Sequence, residues 1–349
     1  MKIAPIIREM EKHPQVFEQF LVHTGQHYDS GMSQVFFNEL DLPSPDINLE
    51  VGSGTHTWQT AQVMLRFEPV LLDYKPDWVN VVGDVNSTLA CALVCSKLGV
   101  RVAHVEAGLR SFDNTMPEEI NRKLTDQIAT LLFTPSRDGD QNLLNEGVPA
   151  DKIRFVGNVM IDTLVHLLPK AQDRWDALQS RYGLKEDYLL VTLHRPSNVD
   201  QPETLREIIS ALVQVSEEIP VLFPVHPRTR QRFEDFGISS ASANLRLLEP
   251  LGYLDFLGLQ AHATLVLTDS GGIQEETTYL GIPCLTARAN TERPVTITSG
   301  TNRLVDSSCE ALIEAIHRAL SEKYPEKRKP PLWDGKAAER IISAYLEIA

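Results

Sequence analysis

LTDSGGIQEE, Leu267–Glu276, reads as the end of a buried strand, a glycine turn and the first turns of a helix. The strand Thr264–Thr268 is apolar and ends in a threonine. Asp269 and Ser270 are residue types that cap helix N-termini. Gly271 and Gly272 have no Cβ and let another backbone or a ligand approach closely. The N–H groups of a helix's first turn lack intrahelical partners, so the segment is suited to an anion such as a diphosphate. Glu275 and Glu276 fall about one turn into the helix. Either could accept hydrogen bonds from sugar hydroxyls, as ribose-binding carboxylates do. The plain alternative is a capped strand–turn–helix with no ligand.

The same strand-then-helix grammar runs through all 349 residues. In the first half it predicts strands at Phe20–Thr24, Trp78–Gly83, Arg101–Glu106, Leu131–Pro135 and Arg154–Gly157. In the second half it predicts Tyr188–Leu193, Val221–Val225, Leu245–Glu249, Thr264–Thr268 and Cys284–Ala287. Short apolar strands separated by helices imply parallel sheets built from right-handed βαβ units. The length predicts two α/β domains. The expected boundaries are 1–165 and 166–334, with a mixed helical connector at Thr163–Lys185. A final helix, 335–349, is expected to return to the first domain, after a crossing segment at Pro325–Trp333. Two such sheets are expected to face one cleft with their strand carboxyl ends, where ligands bind in open α/β sheets. The chain opens with Ile3, Ile6, Ile7 and Met10 spaced as one face of a helix, with no strand before it.

Composition sets outer bounds. The hydrophobic fraction of 42% and charged fraction of 23% are those of a globular protein. A net charge of −14 argues against a nucleic-acid binder. No apolar run is long enough for a membrane helix, and no signal peptide is visible. The four cysteines, Cys91, Cys95, Cys284 and Cys309, suggest a reducing, cytoplasmic setting. Cys91 and Cys95 read as small buried hydrophobes, and no metal site is expected.

A second cluster of polar residues lies in the first half. Strand Trp78–Gly83 runs into Asp84, Asn86, Ser87 and Thr88. Strand Arg101–Glu106 carries His104 and leads to AGLR. MPEEINR follows, with Glu118, Glu119 and Arg122. Acids converging beside Arg110 and Arg122 cannot all ionise independently, so one is expected to hold its proton at higher pH. That would supply a proton donor and a proton acceptor together. In the second half, VTLHRPSN places His194 and Arg195 beyond one strand, and FPVHPRT places His226 and Arg228 beyond the next. Both pairs could neutralise a diphosphate leaving group. ANTERP adds Glu292 and Arg293 after Arg288. HTGQHYD supplies Gln26, His27 and Tyr28, and GSGTH is a polar loop ending at His56. Taken singly, each of these loops is equally readable as solvated surface.

Taken together and in order, GDVNST, HVEAGLRS, MPEEINR, VTLHRPSN, FPVHP, LTDSGGIQEE and NTERP resemble the non-hydrolysing UDP-N-acetylglucosamine 2-epimerase family. The resemblance runs essentially from Met1 to the C-terminus. It implies a GT-B-like fold, two Rossmann-like domains with the nucleotide on the second. It also implies interconversion of UDP-N-acetylglucosamine and UDP-N-acetylmannosamine, by elimination of UDP to a glycal and re-addition, without a cofactor. By motif, Asp84, Glu106 and Glu118 resemble the family's acid/base carboxylates, Arg122 their partner arginine and His194 the histidine near the diphosphate. Ser270, Gly271 and Gly272 match the phosphate loop, Glu276 the ribose ligand and Arg293 a further ligand-facing arginine. Lys2 stands where the family has a lysine, and Phe256 is a further substrate-binding candidate. Gln26, His27 and His226 match the neighbourhood of a second UDP-sugar that acts as activator in some members. A homodimer is expected.

Two departures accompany the resemblance. The family's first strand and its Gly-Thr-Arg-Pro-Glu segment are absent, which should leave neighbouring strand edges open. An upstream-extended chain is expected to be more active or more stable. The TGQHYD and LHRPSN variants leave room for a 3-acetamido or uronic-acid analogue of the sugar. A hydrolysing relative, a GT-B glycosyltransferase and a UDP-sugar sensor without catalysis are the competing readings.

Overall fold

A computed structural model of the chain describes residues 1–25, 39–184, 187–238, 242–322 and 329–348. It divides into two compact units, Met1–Thr163 with Pro331–Ala349, and Leu164–Pro330.

The first unit holds six strands: β1 (Val22–His23), β2 (Ile47–Asn48), β3 (Trp78–Val82), β4 (Arg101–Val105), β5 (Leu131–Thr134) and β6 (Ile153–Phe155). β3 to β6 form one parallel sheet in sequence order, with Val81 opposite His104 and Val105 opposite Phe133. β1 and β2 form a separate parallel pair. Among the described residues, β3 therefore pairs only with β4 and β1 only with β2. One apolar cluster joins Val63, Phe67 and Leu71 of helix His56–Tyr74 to Cys91 and Cys95 of helix Asn86–Leu98 and to Leu132 of β5. The two cysteines are buried apolar filling, as their spacing predicts. The other cluster joins Ile6 to Ala103, Val105 and Phe133 of the sheet and to Ile341, Ile342 and Tyr345 of helix Ala337–Leu346. That last helix is fixed at its start by Asp162, whose two oxygens accept the N–H groups of Ala337 and Ala338 at 3.0 and 2.7 Å. The Ile3–Met10 periodicity forms a helix over Ala4–Met10, with Ile6 and Ile7 inward.

The second unit is one six-stranded parallel sheet of β7 (Leu189–Thr192), β8 (Val221–Pro224), β9 (Leu245–Leu248), β10 (Leu265–Thr268), β11 (Cys284–Ala287) and β12 (Asn302–Val305). The order is β12-β11-β10-β7-β8-β9, so the direction of winding reverses between β7 and β10. That reversal opens a crevice beyond the carboxyl ends of β7 and β10, the place where open α/β sheets bind ligands. Helices Pro202–Val215 and Cys309–Ser321 bury Leu205, Ile208, Leu212, Leu312 and Ile316 against one face. No described helix is long and apolar enough to cross a membrane.

Two strands, β2 and β12, carry no clear sequence signal. β12 opens on Asn302 and Arg303, which read as a loop. Asn302 is nonetheless buried, because its amide donates to Gln274 at 3.1 Å and accepts from Thr286 at 2.6 Å. Paired polar groups can lie in a core that unpaired ones cannot enter.

Candidate active site

In the second unit the candidate residues gather at the reversal point. Thr268 of β10 is in register with Thr192 of β7, so the residues after the two strands meet. Asp269, fully buried, is not the helix cap its sequence position suggests. Its carboxylate accepts the backbone N–H groups of His194 and Arg195 at 3.0 and 2.9 Å and the amide of Asn198 at 3.0 Å. It also stands 2.9 Å from the His194 Nδ1. Burial opposes ionisation of Asp269, but the His194 hydrogen bond and charge and the other donors outweigh it and hold the carboxyl below its ordinary value. An ionised carboxylate on Nδ1 leaves Nε2 of the half-exposed His194 ring available to a ligand. The cap position falls to Ser270, whose side chain makes no cap bond. Helix Gly271–Leu280 therefore keeps an uncapped N-terminus, the electrostatic requirement for an anion.

Gly271 serves a different neighbour from the one expected. A Cβ there would lie 2.4 Å from Arg293 Nη1 and 2.9 Å from Glu292 Oε1. The space belongs to Arg293, a buried side chain bonded to Glu275 at 2.7 Å and to Glu292. Arg288 bonds Glu292 from the other side at 2.7 Å. Glu275 is thus engaged by the arginine, which leaves Glu276 as the ribose candidate. Glu276 Oε1 accepts the Tyr253 hydroxyl at 2.8 Å, and Oε2 is buried without a hydrogen-bond partner among the described residues. Burial pushes the Glu276 carboxyl up from 4.5 to about 7. Phe256, one turn after Tyr253, is half-buried at the edge of the cluster around Leu190, Leu222 and Val266.

A stability consequence follows from Glu276. Its folded value is raised, so the folded state binds more protons than the unfolded chain between pH 4.5 and about 7. The penalty is absent below that window and complete above it. Glu276→Gln keeps the Tyr253 bond and removes the charge. The variant should be more stable than the parent at pH 8, by up to about 3 kcal/mol, with the gain fading toward pH 4.5. Thermal melts across pH check this; an equal gain at pH 4 and pH 8 would count against it.

The remaining cations of this unit are placed otherwise than expected. Arg228 turns to Asp200, at 3.2 Å from its Nε, and Arg232 shares that carboxylate at 3.0 Å. Arg195 donates its Nε to the Asp269 carbonyl at 3.0 Å. His226 caps helix Pro227–Asp235, accepting the Arg228 N–H at 3.2 Å, and its ring centre lies 6.2 Å from that of His194. Burial, with the neighbouring His194 and Arg228 charges, lowers its pKa.

In the first unit, Asp84 follows β3 and accepts the guanidinium of the buried Arg122 through Nε at 3.0 Å and Nη2 at 2.7 Å. Asn121 holds the Asp84 carbonyl at 2.9 Å. Glu106 follows β4, is buried, and takes a left-handed backbone with φ of 73°. Its own N–H and that of Ala107 both reach the Phe133 carbonyl at 3.0 Å, which forces the turn. Such a conformation costs a non-glycine residue about 1 kcal/mol or more, and the surrounding bonds hold it there. Lys2, which stands where the family has a lysine, pairs with Glu106. Asp84 and Glu106 are therefore not acids crowded against one another alone; each has its own cation. Glu119 is fully buried and structural: it accepts Ser111 N at 2.9 Å, Phe112 N at 3.1 Å and Arg122 Nη1 at 2.7 Å. Glu118 precedes it in the first turn of helix Pro117–Ile128, is half-buried, and has no hydrogen-bond or ion-pair partner among the described residues. It sits four residues before Arg122, on the same helix side. Arg110 does not join this group. It is spent on Asp126 at 2.7 Å and, bidentately, on Glu146 at 2.8 and 2.7 Å. His56 faces Asn86 at 3.1 Å. Gln26, His27 and Tyr28 lie outside the described residues.

Residues 8–346 match the family model of UDP-N-acetylglucosamine 2-epimerase. The chain belongs to this family. Across 98% of its length it is 45% identical to the UDP-N-acetylglucosamine 2-epimerase of Methanocaldococcus jannaschii, of which it covers 94%. The crystal structure of an epimerase from that organism, in complex with UDP-GlcNAc and UDP, superposes with a TM-score of 0.91 at 44% identity, covering 99% of this chain and 96% of that one. The chain is also 40% identical, over 98% of its length and 95% of the relative's, to the UDP-2,3-diacetamido-2,3-dideoxy-D-glucuronate 2-epimerase of Pseudomonas aeruginosa. The fold is thus the family's GT-B-like α/β class, as the motifs imply. Asp269, inside one of the motifs, and Tyr253, outside all of them, are residues whose parts sequence reasoning missed. Knowing that β7 and β10 are neighbours would have exposed the first, since Asp269 and His194 follow paired strands.

Proposed function

We propose that this chain is a non-hydrolysing UDP-N-acetylglucosamine 2-epimerase, an isomerase interconverting UDP-N-acetylglucosamine and UDP-N-acetylmannosamine. The likeness to the Methanocaldococcus jannaschii enzyme over nearly the whole chain carries the reading. In the route proposed, a carboxylate takes the proton from the sugar's second carbon. The electron pair forms a double bond to the anomeric carbon, whose bond to UDP breaks. Return of a proton to the opposite face and re-attachment of UDP give the epimer. The uncapped helix start at Ser270, Gly271 and Gly272 would hold the diphosphate, with His194 beside it and Glu276 on the ribose. Asp84, Glu106 and Glu118 would move the proton, with Arg122 and Lys2 fixing the first two in charge and direction.

The Pseudomonas aeruginosa relative favours a second reading, epimerisation of a diacetamido-uronate analogue. Turnover of both UDP-sugars by the purified chain, followed by chromatography, separates the two. Isomerisation of UDP-N-acetylglucosamine is expected to be the faster. Free sugar with UDP would identify a hydrolase instead, and transfer to an acceptor a glycosyltransferase.

We also infer a homodimer, a cytoplasmic location and activation by a second UDP-sugar. For the dimer, helix His56–Tyr74 exposes Trp58, Leu65 and Leu72 seven residues apart, an apolar stripe along one side. Leu65→Asp with Leu72→Asp should sediment as a monomer; an unchanged mass would exclude this face. The free cysteines fit a reducing compartment. Activation predicts a sigmoidal dependence of rate on UDP-N-acetylglucosamine, and a hyperbolic curve would contradict it.

A further inference from the structure

His104 of β4 is fully buried two residues before Glu106. Both ring nitrogens face acceptors. Nε2 lies 2.8 Å from the Gly83 carbonyl oxygen, and Nδ1 lies 2.6 Å from Asp126 Oδ1. A carbonyl can only accept, so Nε2 carries a hydrogen. The other Asp126 oxygen accepts the Gly108 N–H at 3.1 Å and pairs with Arg110 at 2.7 Å. That arginine keeps Asp126 ionised, and an ionised carboxylate can only accept, so Nδ1 carries a hydrogen as well. The ring is an imidazolium.

Gly83 lies between this ring and the candidate acids. Its N–H donates to the Val105 carbonyl at 3.0 Å, and its carbonyl, part of the peptide that leads into Asp84, accepts from His104, so the chain is held on both sides of the Gly83 Cα. Its φ of 73° is a glycine conformation. A Cβ here would stand 3.4 Å from Glu106 Oε2 and 3.2 Å from Lys2 Nζ. One residue therefore separates the His104 ring from the Glu106 carboxylate, and the next residue is Asp84.

We propose that His104 is a permanently charged positioning residue: an imidazolium, anchored on Asp126, that fixes the Gly83–Asp84 peptide and supplies a positive field behind Glu106 for the proton-transfer step. The inference rests on the epimerase reading for its kinetic part alone. The charged groups around the ring are Asp126 and, beyond it, Arg110, with Glu106 and its partner Lys2 on the Gly83 side. Burial opposes the charge, and Asp126's charge and hydrogen bond outweigh it, so the His104 pKa is raised. The mechanism as proposed needs two carboxylates held at fixed mutual positions, and a misplacement of the order of 1 Å costs about a hundredfold in rate.

The test has a spectroscopic arm and a kinetic arm. In protein labelled with nitrogen-15 at histidine, both His104 ring nitrogens should keep imidazolium shifts and slowly exchanging protons from pH 6 to pH 9. The signals are assigned by their loss in His104→Gln or, where that variant does not fold, by their displacement in Asp126→Asn. A ring that is neutral or titrates within that range overturns the proposal, whatever the substrate. In the kinetic arm, His104→Gln should lower kcat about a hundredfold with KM within about twofold, because UDP contacts in the other unit are untouched. A variant with the parent's kcat overturns the positioning role. Loss of UDP binding together with kcat would reduce His104 to a purely structural part and overturn it too.

Discussion

Glu106→Gln should lower epimerisation by about a thousandfold or more, within the range that one acid/base group contributes, and leave UDP affinity unchanged. Glutamine has the shape of glutamate and can occupy the same buried turn, held by the bonds of residues 106 and 107 to the Phe133 carbonyl. What it cannot do is accept and return a proton. It also leaves Lys2 without its carboxylate. Steady-state rates and UDP titration calorimetry, compared with the parent, separate chemistry from binding. A variant that turns over within tenfold of the parent would remove Glu106 from the proton path and place the burden on Asp84 and Glu118.

Asp269→Asn should act through a different part of the molecule and should lose both stability and rate. Asp269 is fully buried and receives donors from two backbone N–H groups, the Asn198 amide and His194 Nδ1. An asparagine must turn its NH₂ toward at least one of those donors. The expected cost is about 2–4 kcal/mol, typical for breaking one side of a buried, charge-assisted network. The imidazole of His194 also loses the group that orients it, which should reduce turnover by about a hundredfold to a thousandfold. The folded carboxyl titrates below its ordinary value, so the stability it contributes is present above pH ~4 and is lost as pH falls further. Denaturant melts of parent and variant should converge below that pH and differ most near neutrality. An equal gap at pH 3 and pH 7 would show that packing, and not charge, carries the effect.

Local pattern was enough for much of this molecule. Apolar runs such as Leu189–Thr192 and Val221–Pro224 are buried on both faces and look like nothing but central parallel strands. The first helix was legible from Ile3, Ile6, Ile7 and Met10, whose spacing marks one face. The motif residues Asp84, Glu106, Arg122, His194 and Glu276 were named from strand ends and helix starts. What escaped the sequence was partnership at a distance. Asp269 looked like a cap because its own neighbours are a turn and a helix, while its true partner lies 75 residues away across a strand pair. Gly271 looked like room for phosphate, and the room is filled by Arg293 from the loop after β11. Arg110 looked like a companion of the acids, and Asp126 and Glu146 draw it elsewhere. In each case the competing partner is distant in sequence and is brought close by the fold, not by spacing along the chain.

Epimerisation by this route needs a proton to leave and return at one sugar carbon while UDP comes off and goes back on. Incubation of the protein with UDP-N-acetylglucosamine in heavy water, read by proton NMR, addresses that step alone. The account predicts deuterium at the sugar's second carbon in UDP-N-acetylmannosamine and in recovered UDP-N-acetylglucosamine, with UDP still attached in both. Epimer formed with protium retained at that carbon, or substrate recovered unlabelled and unchanged, would contradict it.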